Sequence, residues 1–303
     1  MTMSTSTLIT SRDPKGLHAV SLFEATYNKA QLDDARAQKL NERGGEFQDG
    51  VLKLIRELTT PNQYANEEVK SSFIYYPKEY KGPKPIEDQI RAVAESFGLN
   101  PRPAAEYVLG KKLPALPTGA EGWFAIPSVT ALAAKFFPEV TDPAQQYCRA
   151  VQLIHEKIKA SRPFYNWREG QIRPSQLRVH ARTAHALDMV AEEQKGDILI
   201  VACQLGMLHR GQSVRRAREV FAATEFGLTS LAVGSIVLVH PERLVRYEEL
   251  DMDCSGDEFS DGGDDSFGHA PYFCFYDGRV KFGSLGVSLA VGSFGSASAF
   301  LPQ

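Results

Sequence analysis

The stretch Asp197-Ile198-Leu199-Ile200-Val201-Ala202 marks the point at which helical patterning ends and strand patterning begins. A short unbroken apolar run of this kind is typical of a β-strand that is covered on both faces. Residues 213–223 follow with helical spacing, and Leu228–His240 is a second apolar run, which predicts another strand. A strand, a helix and a strand in this order predict one βαβ crossover with parallel strands.

A hairpin is predicted farther along the chain. Tyr272–Tyr276 and Arg279–Phe282 alternate in the manner of strands, and Asp277-Gly278 joins them. Asp-Gly is a preferred pair for a two-residue type I′ turn. The Gly-, Ser- and Ala-rich C-terminus predicts one or two more strands, so the C-terminal half is expected to hold one mixed β-sheet of about four to six strands.

The sequence before Asp197 is predicted to be mainly helical. Asn28 with Gln31 and Asp142 with Gln145 match the capping box that starts helices. Predicted helices cover about residues 28–43, 46–58, 85–97, 104–109, 128–137, 142–160 and 175–195. The fold class expected from the sequence is therefore α+β, with a helical N-terminal half and a C-terminal mixed sheet.

Three regions follow from this patterning. Residues 1–17 are interpreted as a mobile tail, residues 18–110 as a helical region and residues 111–303 as an α/β sheet region. The stretch 99–127 contains five prolines, which suits a connector. Two arrangements stay open, in which the last two regions are separate domains or one continuous domain.

Composition restricts the classes of partner. A net charge of −3 over 303 residues gives no global reason to expect nucleic acid or a membrane surface. The longest apolar run is shorter than the roughly 20 residues that a membrane helix needs, so no membrane partner is expected. Four widely spaced cysteines fit free thiols, and we expect a cytoplasmic protein.

A basic segment, residues 162–218, departs from this average. It contains ten Arg or Lys and five Asp or Glu, with Phe164, Tyr165 and Trp167 among its first arginines. Arginine binds phosphate and aromatic rings stack on bases, so the first hypothesis is a protein that binds nucleic acid or another phosphate-bearing ligand. The candidate binding residues are His209, Arg210, Ser213, Arg215, Arg216, Arg218, Arg168 and Trp167.

The densest part of the basic segment lies between a predicted strand end and a predicted helix start. Free backbone N–H groups at a helix N-terminus attract anions. Gly211 permits close approach of a ligand, and Ser213 is a candidate cap. The alternative is that these arginines pair with carboxylates of the same chain.

An acidic segment, residues 248–269, contains nine Asp or Glu and no Lys or Arg. Asp251, Asp253 and Asp257 match the opening of a calcium-binding EF-hand loop, but Gly262 stands where that loop needs a glutamate. These three residues are the candidate ligands of a divalent cation. Two alternatives stay open, a solvated acidic loop and a loop that lies against the basic segment.

Two further function classes remain. The second hypothesis is an enzyme. It requires that His209, His240 and His269, which lie at predicted strand ends, converge on one site, with the divalent cation as cofactor. His185 and Asp188 share one helix face and form a weaker catalytic candidate. The third hypothesis is a structural or self-associating protein whose basic and acidic segments meet.

Four strings resemble stretches of bacterial proteins to which no function has been assigned. They are EGWFAIPSV at residues 121–129, GDILIV at 196–201, HRGQSVRRAREVF at 209–221 and GSASAFLPQ at 295–303. The resemblance extends over roughly residues 70–303. It implies a bacterial, cytoplasmic context, and no fold, activity or residue role.

Overall fold

Two units make up the chain, Met1–Pro61 and Asn62–Gln303. The computed structural model describes residues 10–59, 61–111, 113–264 and 266–302, without the side chains of residues 56, 57 and 111. The boundary expected between residues 110 and 111 lies within the second unit. Residues 62–110 and 111–303 therefore fall in the same unit.

Three helices are described in the first unit. They are α1 (Pro14–Lys29), α2 (Asp34–Glu42) and α3 (Gly44–Thr59). The side chain of Asp33 accepts a hydrogen bond from Arg36 N and starts α2. The predicted helix at 46–58 corresponds to α3, whereas the one predicted at 28–43 is shorter and begins at Asp34.

The expected tail, residues 1–17, falls partly outside the described residues, which begin at Thr10. Its last residues are helical, because α1 begins at Pro14. Proline has no N–H to lose at a first helical position and its φ suits the helix, so Pro14 favours a start there. That signal was not recognised in the sequence.

Seven α-helices are described in the second unit. They are α4 (Ile86–Phe97), α5 (Arg102–Lys111), α6 (Val129–Phe136), α7 (Pro143–Ser161), α8 (Ala181–Gln194), α9 (Val214–Val220) and α10 (Ser230–Val239), followed by a 3-10 turn at Pro241–Arg243. Asp142 caps α7 by accepting a hydrogen bond from Gln145 N at 2.9 Å, as predicted. Gly98 ends α4 in the left-handed conformation at φ 61°.

Eleven strands form two sheets in the described chain. They are β1 (Gly122–Pro127), β2 (Phe164–Asn166), β3 (Leu177–Val179), β4 (Ile198–Gln204), β5 (Glu225–Gly227), β6 (Asp251–Asp253), β7 (Asp257–Phe259), β8 (His269–Tyr276), β9 (Arg279–Gly286), β10 (Phe294–Ser296) and β11 (Ser298–Phe300). The α+β class expected from the sequence is confirmed. The single sheet expected is in fact two.

The first sheet has the strand order β1-β4-β11-β5, and all neighbours are antiparallel. β4 and β5 therefore run parallel to each other on either side of β11, and α9 connects them. This is the βαβ crossover that the sequence predicted. Its first strand, Ile198–Gln204, is buried along its whole length.

The second strand of the crossover is Glu225–Gly227, not Leu228–His240 as expected. Residues 230–239 form α10, in which nine of ten residues are buried. A short apolar run fits a strand and a helix that is covered on all sides equally well, so periodicity cannot separate them. The side chain of Thr229 accepts a hydrogen bond from Ala232 N at 3.2 Å and starts this helix.

The second sheet is mixed. β8 is its centre and pairs with β6, β7 and β9, while β2 with β9 and β10 with β6 are parallel pairs. The predicted hairpin is β8 and β9, and its turn residues have φ values of 54° at Asp277 and 71° at Gly278. Positive φ at both positions is what a type I′ turn requires.

One buried apolar cluster connects the helices and sheets of the second unit. Val151 and Ile154 of α7, Val233 of α10 and Phe273 of β8 are fully buried in it. Helix α10 packs against α7, against β1 of the first sheet and against β8 of the second sheet, so it is a central helix of the core. Within the described part of the chain, every helix is too short or too polar to cross a lipid bilayer.

Candidate nucleic-acid interface

The basic segment (162–218) and the acidic segment (248–269) contact each other. Arg168 Nη2 lies 2.9 Å from Asp261 Oδ1, and Arg178 Nε lies 2.7 Å from Glu258 Oε2. Arg218 donates to the backbone oxygen of Asp257 at 2.6 Å. Much of the charge separation seen along the sequence is therefore compensated within the fold.

The N-terminus of α9 holds a carboxylate of the chain itself. Ser213 caps the helix, and its hydroxyl also donates to Glu67 at 2.6 Å. Arg215 Nε donates to the same carboxylate at 2.8 Å, and this hydrogen bond lowers the pKa of Glu67. The anion position that we expected here for a phosphate is occupied by Glu67.

Arg216 also pairs with carboxylates of the same chain. Its guanidinium lies 2.6 Å from Glu68 and 2.8 Å from Glu219, and these hydrogen bonds raise the pKa of Arg216. Arg210 is exposed and donates to the backbone oxygen of Met207 at 2.7 Å. Of the arginines in the run 209–218, Arg210 is the one with an exposed side chain and no carboxylate partner among the described residues.

His209 belongs to a buried hydrogen-bond network. Its Nε2 lies 2.6 Å from Glu225 Oε1, and its Nδ1 lies 3.1 Å from Gln212. Ser298 donates to the same Glu225 oxygen at 2.5 Å. Burial raises the pKa of Glu225, but the hydrogen bonds from His209 and Ser298 outweigh it and the net shift is downward. The arrangement joins β5 and β11 to the loop after β4.

The candidate metal ligands lie on two strands. Asp251 and Asp253 are on β6 and Asp257 is on β7. Asp257 accepts hydrogen bonds from the Tyr147 hydroxyl at 2.6 Å and from Ser230 N at 2.7 Å. Among the described residues, no three His, Cys, Asp or Glu side chains are grouped closely enough to hold a metal ion.

The histidines of the enzyme hypothesis have different partners. His209 contacts Glu225, His240 accepts a hydrogen bond from Lys84 N at 3.1 Å, and His269 lies 3.3 Å from Asp261. Burial lowers the pKa of His240 to about 4, so its ring is neutral at physiological pH. The observed contacts do not join the three residues into one site.

Another surface brings aromatic rings together around a lysine. β2 pairs with β9 so that Tyr165 lies opposite Lys281, and β8 pairs with β9 so that Cys274 also lies opposite Lys281. Alternate residues of a strand share a face, so Tyr272 and Tyr276 lie on the same side of the sheet as Cys274. We call Tyr165, Trp167, Tyr272, Tyr276 and Lys281 the aromatic face.

Trp167 continues the line of β2. Its backbone N–H donates to Phe282 O at 3.0 Å, which extends the pairing of β2 with β9. Its ring centroid lies 5.9 Å from that of Tyr165 and 6.3 Å from that of Tyr272. The three rings therefore form a continuous aromatic surface over β2, β9 and β8.

Lys281 stands in the middle of this surface. Its Nζ lies 4.9 Å from the centroid of the Trp167 ring and 4.5 Å from that of Tyr276. Both distances are within the range of cation–π attraction. Lys281 is only 7% exposed, whereas Trp167 is 44% and Tyr276 is 52% exposed. The rings thus cover the lysine stem and remain open to solvent.

Gly283 makes the close approach of two rings possible. A Cβ added at this position would lie 2.7 Å from the hydroxyl of Tyr272 and 3.0 Å from the Trp167 ring. Any side chain here would push these rings away from the strand. The glycine in the middle of β9 is therefore explained by the aromatic face above it.

The edges of the aromatic face carry one more exposed ring and one more cation. Tyr247 is 66% exposed, and its ring centroid lies 5.5 Å from that of Tyr276. Arg279 is exposed and pairs with Tyr276 across the hairpin. An exposed aromatic cluster of this kind marks an interaction surface more often than scattered apolar residues do.

The sequence pointed to part of this surface. Trp167 and Tyr165 were identified among the early arginines, but Tyr272, Tyr276 and Lys281 were missed. Their signal is the alternation within the hairpin, where Tyr272, Cys274 and Tyr276 share one face. Since Phe273 and Phe275 occupy the other face, the strand is apolar on both sides, and the alternation does not say which side is exposed.

Comparison with known proteins gives no independent assignment. No protein-family model, no curated protein and no solved structure matches this chain.

Proposed function

We propose that this protein binds single-stranded nucleic acid on the aromatic face. The observation that carries the proposal is the set of solvent-exposed rings arranged around Lys281 on one side of the second sheet. Aromatic side chains on an open sheet are the stacking platform that many single-strand binding proteins use. The site differs from the arginine run at residues 209–218, whose side chains have partners within the chain.

The chemistry of the aromatic face fits unpaired bases. Every base has a π-face that can stack on tyrosine or tryptophan, and this contact needs no particular sequence. A duplex keeps its base faces covered, so single strands are preferred. Exposed Arg279, which also lies 3.4 Å from Asp277, supplies positive charge for the phosphates that connect the stacked bases, and Lys281 beneath the rings adds to it.

The small number of cations determines the salt dependence. One or two phosphate contacts to a single strand give a slope of about −0.7 to −1.4 in the logarithm of affinity against the logarithm of salt concentration. A site built on the whole basic segment would give a much steeper slope. The slope therefore separates the aromatic face from a site of purely electrostatic character.

The experiment is a fluorescence-anisotropy titration of nuclease-treated protein with labelled single- and double-stranded oligonucleotides at several salt concentrations. Trp167→Ala and Tyr276→Ala remove rings from the aromatic face. We expect each to weaken single-strand binding by about 5- to 150-fold, since one base–aromatic stack contributes about 1–3 kcal/mol. Tyr75→Ala is the matched control, because Tyr75 is 69% exposed and is not part of the aromatic face.

Equal loss in Tyr75→Ala, or no single-strand binding at low salt, would contradict the proposal. Loss in Arg210→Glu with full binding in Trp167→Ala would place the site at the arginine run instead. Arg210 is suited to this comparison because its substitution leaves the ion pairs of Arg215 and Arg216 intact.

Self-association is a second proposal, supported by the first unit. Leu54, Ile55 and Leu58 of α3 share an apolar stripe and are 53%, 52% and 72% exposed. Exposed stripes of this kind become covered when helices of two chains pack together. Sedimentation equilibrium of the full chain and of Ile55→Glu/Leu58→Glu tests this, and we expect the wild type alone to associate. A monomeric wild type at high concentration excludes the proposal.

We also propose a cytoplasmic location. Cys148, Cys203, Cys254 and Cys274 are free thiols in the fold, as is usual in a reducing compartment. Detection of the tagged protein in cell fractions tests this directly. A periplasmic or secreted pool would contradict it.

A further inference from the structure

A cavity of about 240 Å³ lies among α6, α7, α8 and the N-terminus of α10. No residue of the aromatic face lines it, so it is independent of the proposed nucleic-acid site. The side chains of β1 and β4 that face it, Ile126 and Leu199, are buried. The cavity is therefore built on rigid elements of the second unit.

The walls of the cavity are mainly apolar. They include Ile126, Val129, Ala184, Leu187, Ala191 and Leu231. Small-molecule sites in proteins are typically concave and apolar, with a few polar groups that orient the ligand. An apolar cavity of about 150 Å³ is sufficient for benzene, so this one has room for a larger ring system.

One of the lining side chains carries a buried polar group. Tyr147 lines the cavity and is 5% exposed, and its hydroxyl donates to Asp257 at 2.6 Å. Asp257 is itself held by Ser230 N at the first turn of α10. This contact fixes the direction of the Tyr147 hydroxyl hydrogen. The Thr229 side chain, which also lines the cavity, donates a hydrogen bond to the Tyr147 oxygen, so one lone pair of this oxygen is left to accept a hydrogen bond from a ligand.

The charges around the cavity are negative. Asp188 is the charged residue among those that line it, and it is exposed at the mouth. Asp142 caps α7 directly before Pro143, another lining residue. Among the described residues, no lysine or arginine lines this cavity, so no cationic side chain in its wall compensates an anionic group.

We infer that this cavity binds a small, uncharged, mainly apolar molecule about the size of a bicyclic aromatic, with one hydroxyl group that donates to the Tyr147 oxygen. The apolar walls supply the affinity and the tyrosine supplies the orientation. An anionic ligand of the same shape is disfavoured, because it meets Asp188 at the mouth and has no cationic side chain inside.

The test uses three naphthalene probes of matched shape at pH 7.5. They are 1-naphthalenemethanol, which is neutral, 1-naphthoate, which is an anion, and 1-naphthylmethylamine, which is a cation. Isothermal titration calorimetry and saturation-transfer NMR on the full chain measure binding. We expect saturable binding of the alcohol at one site, with a negative heat-capacity change, and binding of naphthoate at least about tenfold weaker.

Variants of α8 locate the site. Ala184→Leu and Ala191→Leu fill the cavity and should weaken binding of the alcohol by about tenfold or more. Ala181→Leu is the matched control, since Ala181 is exposed on the same helix and does not line the cavity. Thermal melting of all three variants shows which are folded. Two filling variants are used so that the test still works if one of them does not fold.

Two results would overturn the inference. One is the lack of saturable binding of the alcohol, and the other is equal affinity in both filling variants and in Ala181→Leu. Naphthoate or the amine that binds as tightly as the alcohol would overturn the assignment to uncharged ligands. Since single-strand binding is measured on other residues, its outcome does not affect this test.

Discussion

Two aspartates of this protein lie where burial opposes the charged form of their side chains. Asp253 and Asp257 are fully or nearly fully buried, and burial raises the pKa of Asp253 to about 7 and that of Asp257 to about 6. An unfolded aspartate loses its proton near pH 4. Between these values the unfolded chain has released protons that the folded chain still holds, so stability falls as pH rises.

Asp253→Asn tests this linkage. We expect the free energy of unfolding of the wild type to fall between pH 5 and pH 7, with Asp253 contributing about 1.4 kcal/mol per pH unit, and the variant to show a smaller fall. Urea denaturation at each pH measures it. Asp264→Asn is the control, because Asp264 is solvent-exposed and its pKa is lowered by hydrogen bonds from Ser266 and Ser260. An unchanged slope in Asp253→Asn would contradict the reasoning.

Glu225 and Glu258 contrast a buried hydrogen-bonded pair with a surface ion pair. The side chains of His209 and Glu225 are 6% and 3% exposed, whereas that of Arg178 beside Glu258 is 49% exposed. Glu225→Gln should destabilise the protein by about 3 kcal/mol or more, since it leaves buried partners unpaired. Glu258→Gln should change stability by less than about 1 kcal/mol. Chemical denaturation measures the loss in free energy of unfolding for both variants. Similar losses would contradict the distinction between the buried and the surface pair.

At the scale of elements, α10 shows how packing overrides local preference. Glycine is unfavourable inside a helix, yet Gly234 lies in the middle of α10. A Cβ at this position would lie 3.1 Å from a side-chain carbon of Ile154 and 3.2 Å from the Phe273 ring. The residue is glycine because α7 and β8 approach the helix closely here.

Gly234→Ala should therefore destabilise the protein by about 1–3 kcal/mol, although alanine is the better helix former. Gly110→Ala is the matched control in α5, because no atom of the described residues lies within 4 Å of the added Cβ. That variant should be neutral or up to about 1 kcal/mol more stable. Thermal unfolding of both variants measures the difference, and a stabilising Gly234→Ala would show that the helix has room.

At the scale of the whole molecule, the core belongs to one unit. The buried apolar cluster runs from Tyr80 to Ala299, all within Asn62–Gln303, whereas α1 and α2 contain no buried residues. Stability depends chiefly on the apolar area removed from water. The second unit should therefore fold without the first unit.

A chain that begins at Asn62 tests this. We expect a cooperative thermal transition with a midpoint within about 5 °C of the full chain, since the core that determines it is retained. Circular dichroism and calorimetry of the shortened chain measure it. A broad or absent transition would mean that residues 1–61 contribute to the core of the second unit.

The local elements of the fold were largely predictable. Asp142 starts α7, Gly98 ends α4 and Asp277-Gly278 turns the hairpin, and each acts on backbone groups within a few residues of itself. Such signals are complete in the sequence. For the same reason, the α+β class, the crossover and the order of its first strand and helix could be predicted from the sequence.

The candidate site was predictable only in part. Trp167 could be recognised beside the early arginines, but its neighbours Tyr276 and Lys281 are more than 100 residues away along the chain. Only the parallel pairing of β2 with β9 brings them together. Glu67, which occupies the expected anion position at α9, was missed for the same reason, because it is far from α9 along the chain.

The sequence by itself determined the capped helices, the tight turn and the strand that begins the crossover, because these depend on contacts within one turn or one hairpin. Only the tertiary structure decided that residues 230–239 are a helix, that the basic segment meets the acidic one, and which face of the hairpin is open. Those outcomes depend on what covers each side chain, and burial is a property of the packed chain rather than of any stretch of it.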